Sequence, residues 1–483
     1  MSGRARTPSN SSLESTLADS PAVTLARAAL AGRDDAWIVG GAVRDALLGR
    51  PLLDLDLAVP RGEEEGAGRA IAKAGEGHAF ELSGEFATWR VELGQPWRVD
   101  VTGLRAASIE DDLAARDFTV NAIAVPLAGG EPLDPTGGAR DLEARMIRAA
   151  GPRSFLDDPL RLLRAARIAA ELAFEIDPDT VSLASADAGR AAEPAGERQF
   201  AELHGIVAGP DPLRGLALMD ELTITAVVLP ELEGLRGVEQ NPYHHLDVHG
   251  HTLAVLERAL ELEREPGSVL GERADAVRAH LQEPLADELS RAGALRFAAL
   301  LHDIGKPAVR TVNDEGRIFF LGHDEVGARM VGELCTRLRT SRELRRHLEL
   351  LTRHHLRLGF LVHSRPLSRR QVYDYLTATE PAAADVTLLT VADRLATQGP
   401  RTKDEAIDAH LELAREMLGE AFAWRGRPAP PIRGDELAAE LGIDEGPELG
   451  RLMEELSAAT FEGEVTTRDR AVELARLWAA DLD

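Results

Sequence analysis

The stretch from Trp37 to Pro60 constrains this chain more than any other. It reads as a strand, a glycine turn, a short helix and a second strand. Gly40-Gly41 permits a tight turn and lets backbone approach a ligand closely. The helix that follows, Ala42 to Leu48, stops at Gly49. Its N-terminus directs free N–H groups and partial positive charge at the glycines, where phosphates are favoured. Arg44 adds a full charge one turn in. On the second strand, the period of two puts Asp54 and Asp56 on one face and turns Leu55 and Leu57 to the core. Adjacent carboxylates repel unless a cation lies between them, and oxygen ligands beside phosphates suit Mg²⁺. Such a pair can hold two ions roughly 3.5–4 Å apart across a phosphoryl transfer.

Gly-Gly-x-x-Arg-Asp followed by Asp-x-Asp on the next strand resembles the head of polymerase-β-type nucleotidyltransferases. Within them it resembles the class II tRNA CCA-adding enzymes and bacterial poly(A) polymerases. The resemblance implies an α+β chain. A nucleotidyltransferase head spans 33–140, after a tail at 1–32, and a helical neck and body occupies 141–238.

Further along the head, Phe86–Leu93 and Trp97–Thr102 alternate as strands. Asp100 faces opposite to Val99 and Val101, as a third carboxylate near the metals or as a strand-edge residue. The block Asp111-Asp112-Leu113, then Arg116-Asp117-Phe118-Thr119 and Asn121-Ala122, is similar to a family block almost letter for letter. It implies that Arg116 binds the nucleotide phosphates and that Asn121 supports the site, with Gly40, Gly41 and Arg44.

Asp158-Pro159 is a good helix start, an N-cap aspartate with proline at the first position. Arg161 and Arg164 follow at three-residue spacing and share its face. That face can read a base. A carboxylate accepts from the amine of cytosine or adenine and an arginine donates to the ring acceptor beside it, while guanine and uracil mismatch both. The stretch resembles the family's Glu-Asp-Pro-Leu-Arg block, with Asp157 where Glu is usual. The resemblance makes Asp158 and Arg161 base readers, with Arg164 and Arg167 on nucleotide or phosphates.

A second pattern lies downstream. His251 starts a helix, His302-Asp303 ends another, and His323, His354-His355 and Asp393 follow. Such a ligand set suits Mg²⁺, Mn²⁺, Ni²⁺ or iron. The order resembles HD-domain phosphohydrolases, which implies an HD domain at 239–400. His251, His302, Asp303 and Asp393 would be ligands, and His323, His354 and His355 the extra histidines of binuclear members. His244, His245 and His249 read as structural or RNA-facing. The acidic segment from Glu261 to Ser290 reads as a surface insertion. The helical tail, 401–483, carries no recognisable chemistry.

Composition narrows the partners. A chain of 483 residues allows roughly three or more domains. Aromatics make up only 4%, so the cores rest on Leu, Ala and Val. No apolar run approaches the roughly 20 residues of a membrane span. The polar, Ser-rich N-terminus lacks an apolar signal region and reads as a disordered tail of a cytoplasmic protein. The single cysteine, Cys335, excludes an internal disulfide and a cysteine zinc site. A net charge of −26 opposes nonspecific nucleic-acid binding. Arginines clustered at Arg140–Arg167 and Arg337–Arg370 can still track an RNA backbone, or each cluster is a solvated helix face.

Together these features predict a template-independent tRNA 3′-end nucleotidyltransferase using CTP and ATP with Mg²⁺. A bacterial poly(A) polymerase is the alternative, although Glu85–Arg90 does not resemble that subgroup's arginine-rich signature. An HD phosphohydrolase, or a regulator with a non-catalytic head, is a further one. In the CCA-adding family a flexible loop separates the third carboxylate strand from the Asp-Asp-Leu helix. Here only Gly103 to Glu110 join them, which resembles the CC-adding subgroup. That predicts efficient C addition, poor A addition and a separate A-adding partner.

Overall fold

The computed structural model describes residues 10–480 except 53, 84–86 and 96. Phe86, the expected start of a strand, lies outside them. The chain divides into two compact units, Met1–Val228 and Leu229–Asp483.

The first unit is built on a six-stranded sheet of order β3-β4-β5-β2-β1-β6. The strands are β1 Trp37–Val39, β2 Asp54–Val59, β3 His78–Ser83, β4 Thr88–Glu92, β5 Arg98–Gly103 and β6 Ala124–Pro126. β2 runs parallel to β5, which sets Asp56 directly beside Asp100. β1 pairs antiparallel with both β2 and β6. Leu55, Leu57, Val99 and Val101 are buried, so the opposite faces of β2 and β5 carry the carboxylates. Strand β3 escaped the sequence reading because its apolar residues Phe80 and Leu82 are exposed on an edge strand.

The N-terminal segment departs from the disordered tail expected of it. Residues Asn10–Asp19 (α1) and Pro21–Ala29 (α2) are helices. Ser20 caps α2 by accepting from Val23 N–H at 3.4 Å, with proline at the helix start. Leu13 and Leu17, four residues apart, are buried, as are Ala22, Val23 and Ala26. α1 packs on α3 (Gly41–Leu47), the helix after the glycine turn. The Ser-rich composition concealed an i, i+4 apolar stripe.

The second unit is helical. Its middle is formed by Val248–Arg264, Arg291–Leu301, His323–Arg337, Arg342–His354 and Ala383–Ala396. The segment expected as a surface insertion is tied in. Leu270, Val277 and Leu281 are buried. His280 Nε2 lies 3.1 Å from Asp385 Oδ1, and Arg291 Nη1 donates to Asp385 Oδ2 at 2.7 Å. The long helix Asp404–Ala423 packs on Ala383–Ala396. Three last helices gather a small core of their own around Leu437, Leu452 and Leu456. No helix among the described residues is long and apolar enough to cross a membrane.

Candidate active site and candidate metal centre

In the head, the glycine turn closes on the carboxylate strand. Gly40 has φ +69°, and a side chain there would bring its first carbon within 3.1 Å of Asp56 Oδ2 and 3.3 Å of Arg116 Nη1. Only glycine fits both the conformation and the space. Asp54 is exposed and pairs with Arg98 at 3.0 Å. Asp100 is clamped by Arg90 through two bonds of 2.9 and 2.8 Å. Among the described residues, Asp56 has no such partner. Burial and the charge of Asp100 push its carboxyl up to about 6, against the pull of Arg116. Carboxylates converging under mutual repulsion, one of them uncompensated, fit a divalent cation.

The cations around this strand are held from behind. Arg44 is buried, donates to Asn121 Oδ1 at 3.0 Å and pairs with Asp45 at 2.9 Å. Asn121 in turn donates to Asp117 Oδ1 at 3.1 Å. Arg116 rests on Asp112 at 3.2 Å, one turn back. Thus Arg116 borders the turn, while Asn121 fixes Arg44.

The expected base-reading face is arranged differently. The regular helix begins at Arg161, two residues later than an Asp158 N-cap requires. Asp158 Oδ1 accepts from Leu160 N–H at 3.1 Å and Oδ2 accepts from Arg198 at 3.0 Å. Arg161 is buried, and its guanidinium donates to the carbonyls of Ala115, Arg116 and Ser154 at 3.0–3.2 Å. In this conformation Arg161 braces the backbone under Arg116 and presents no free edge to a base. Arg164 and Arg167 both grip Glu202, at 3.0 and 2.6 Å, so neither is an open phosphate binder. Glu202 and Arg198 sit some 35–40 residues downstream of their partners on another helix, and no short-range pattern announced them.

The histidines and aspartates of the second unit converge. His251, His302 and Asp393 bring ligand atoms within 4.8 Å of one another, and so do Asp303, His323 and His355. Asp303 joins the two groups, 3.1 Å from His302 Nε2 and 3.3 Å from His323 Nε2. His251 Nε2 stands 3.0 Å from Asp393. Three rings are oriented by backbone: Nδ1 of His302, His323 and His355 lies 2.9, 2.7 and 2.6 Å from the carbonyls of Ala299, Phe320 and Thr352. That directs each Nε2 inward as a ligand. Among the described residues, His251 Nε2, His302 Nε2 and Asp303 Oδ2 are buried in contacts of 2.6–3.1 Å with Asp393, Asp303 and Lys306, none of which has hydrogen-bond geometry. Burying such atoms unsatisfied is costly, so the set fits a divalent cation. Burial works against the charge on Asp303, but His302 and Lys306 hold its carboxyl well below the usual range. Burial pushes His355 down to about 4, leaving it neutral and able to ligate.

His354 is not part of this set. Its ring takes a bond from Arg357 Nε at 3.4 Å, away from the cluster. Successive helical residues point about 100° apart, so only one of an adjacent pair can face a given centre. Of two neighbours, Lys306 escaped the sequence reading and His244 was read there as structural or RNA-facing. Lys306 pairs with Asp303 at 2.6 Å, three residues on in the His-Asp-Ile-Gly-Lys run. His244 stacks edge-on against His251, with ring centroids 4.8 Å apart.

Fold and geometry define a nucleotidyltransferase head joined to an HD-type metal domain. Residues 36–148 match the poly A polymerase head domain, 173–235 the probable RNA and SrmB-binding site of polymerase A, and 248–398 the HD domain. The chain is 34% identical to the A-adding tRNA nucleotidyltransferase of Deinococcus radiodurans, over 92% of this chain and 96% of that one. It is 33% identical to the CC-adding tRNA nucleotidyltransferase of Thermus thermophilus, over 92% and 94%. A multifunctional CCA protein of Acidovorax is 36% identical over 66% and 72%. The chain belongs to the tRNA nucleotidyltransferase family. The fold is shared with a CCA-adding enzyme solved with ATP, at TM-score 0.63, 22% identity and full coverage of both chains. It is also shared with the Thermotoga maritima CCA-adding enzyme solved with tRNA, at TM-score 0.58 and 21% identity, covering 98% of each.

Proposed function

We propose that this chain is a cytoplasmic, template-independent tRNA nucleotidyltransferase that extends the 3′ end of tRNA from CTP or ATP. The single observation that carries the reading is Asp56, uncompensated between Asp54 and Asp100, facing the Gly40 turn and Arg116. Asp54 and Asp56 would hold Mg²⁺, with Asp100 beside them. A bound divalent cation supplies positive charge to the attacking and leaving oxygens. The chain's own residues supply position. Arg116 holds the phosphates next to the glycine turn, and Arg44, fixed by Asn121, adds charge behind them. The tRNA 3′-hydroxyl attacks the α-phosphate and pyrophosphate leaves, so placement and charge do most of the catalysis.

Reading of the base falls to Asp158 once Arg198 is released, with Arg161 as its partner after it leaves the 115–116 carbonyls. The tRNA-nucleotidyltransferase relatives favour this reading over a poly(A) polymerase or a lone hydrolase. In the HD domain, the His251, His302, Asp303 and Asp393 set, with His323 and His355, supports a second, metal-dependent phosphohydrolase site. Mg²⁺, Mn²⁺, Ni²⁺ and iron all suit its ligands.

The base preferred follows from the connection between β5 and the helix Ile109–Ala114, only Leu104 to Ser108. So short a link has little freedom to reshape the site between a pyrimidine and a purine, which favours C over A. A second reading, A addition, draws on the A-adding relative. The multifunctional CCA relatives remove the need to postulate a separate A-adding partner. Incubating a tRNA lacking its 3′ end, and one already ending in CC, with CTP alone, ATP alone and both, then sizing the products on a gel, separates the readings. Extension with CTP alone supports C addition. Extension only of a tRNA already ending in CC, with ATP, supports the second.

A further inference from the structure

The HD cluster forms the floor of a cavity of about 680 Å³, a volume within the usual range for small-ligand sites. One wall comes from beyond the HD match, which stops at residue 398. Arg401, Lys403 and His410 line the cavity from the start of the helix Asp404–Ala423 and the residues before it, and Arg394 lines it from one residue past the ligand Asp393.

Arg394, Arg401 and Lys403 are unusual as cations in this chain. Its net charge is −26, and other arginines such as Arg296 and Arg365 are matched with glutamates. Among the described residues, Arg394, Arg401 and Lys403 have no ion pair and no side-chain hydrogen bond. Arg394 Nε and His410 Nε2 are buried without a hydrogen-bond partner, and His410 is only 4% exposed. Two buried polar nitrogens left unsatisfied on one wall call for a polar ligand, and the cations beside them make that ligand an anion. The lining also carries exposed apolar side chains. Phe360 and Leu321 line the cavity and are 73% and 81% exposed, a surface on which a base can stack.

We propose that this wall is a distal anion site, and that the cavity takes a nucleotide carrying two separated phosphoryl groups. One phosphoryl group lies at the His/Asp cluster, the other on Arg394, Lys403 and His410, and the base rests on Phe360 and Leu321. The inference rests on the HD domain being a phosphohydrolase site, and adds to it the class of substrate.

The test uses the full-length protein loaded with Mn²⁺, its head saturated with CTP. Adenosine 5′-monophosphate and adenosine 3′,5′-bisphosphate are titrated in by calorimetry. The bisphosphate is expected to bind about tenfold tighter or more, since each charged hydrogen bond adds appreciably. Lys403→Ala, an exposed change that leaves the core alone, and His410→Gln should each erase that preference while monophosphate binding stays as in wild type. Equal affinities in wild type, with hydrolysis of either ligand intact, overturn the distal site alone. A retained preference without metal-dependent hydrolysis overturns the phosphohydrolase reading and leaves the distal site standing.

Discussion

The two metal-ligand constellations in this chain solve the same electrostatic problem differently. In the head, carboxylates on neighbouring strands are mostly balanced by arginines: Asp54 by Arg98 and Asp100 by Arg90, with Asp56 left over. In the HD domain most of the ligands are buried, and three of their atoms sit against charged neighbours, Lys306 among them, without hydrogen-bond geometry. The head is therefore tolerable without a cation, which fits an ion that arrives with each nucleotide. The HD cluster is costly without one, which fits an ion that stays.

The largest expected effect breaks the head. Asp56→Ala should lower nucleotide addition by on the order of a thousandfold or more, since the clamp on both reacting oxygens is lost. Metal content at the HD cluster should not change. Primer extension and elemental analysis of the same sample read both sides of the comparison.

The next breaks the other side. His302→Ala should remove the tightly held ion and leave tRNA extension at its wild-type rate. Chelation of wild type should lower the thermal midpoint of the second unit. An ion present at a hundred times its dissociation constant is worth about 2.7 kcal/mol to the folded state. An unchanged midpoint after complete removal of metal would argue that the cluster is satisfied by protein alone.

Much of this contrast was legible beforehand, because the ligands announce themselves locally. Gly-Gly ahead of Asp-x-Asp and His302-Asp303 at a helix end carry their chemistry in a few consecutive residues. What stayed hidden depends on partners far along the chain. Arg161 reads as a free donor until its bonds to the carbonyls of Ala115 and Arg116 are seen. Arg164 and Arg167 read as phosphate binders until Glu202 is placed between them. His354 and His355 cannot be told apart without the phase of their helix. The N-terminal helices were missed because composition outweighed the spacing of Leu13 and Leu17.

A smaller effect sharpens the head's selectivity. Asp158→Ala should weaken discrimination against UTP and GTP by about 1–3 kcal/mol, the worth of a good base contact. Arg198→Ala frees the carboxylate and should leave discrimination intact. If both variants lose only stability, the pair is a structural brace between two helices. Nucleotide misincorporation on the truncated tRNA decides this.

The smallest effect concerns pH. With its carboxyl raised to about 6, Asp56 binds its proton more tightly in the folded than in the unfolded, metal-free chain. Its contribution to stability is therefore full below the unfolded value near 4 and is lost as pH rises through about 6. Asp56→Asn should stabilise the metal-free protein at pH 7 by on the order of 1–2 kcal/mol, and by progressively less toward pH 4. Denaturant midpoints across that range measure it. No gain at pH 7 would mean that the arginines already compensate Asp56.

The most direct measurement is extension of a tRNA stripped of its 3′ end, and of one already ending in CC, with CTP and ATP, by wild type and Asp56→Ala side by side. The account predicts that wild type adds nucleotides and the variant adds none, with both proteins folded and both carrying the HD ion. Normal extension by Asp56→Ala, or none by the wild type with either nucleotide, would contradict it.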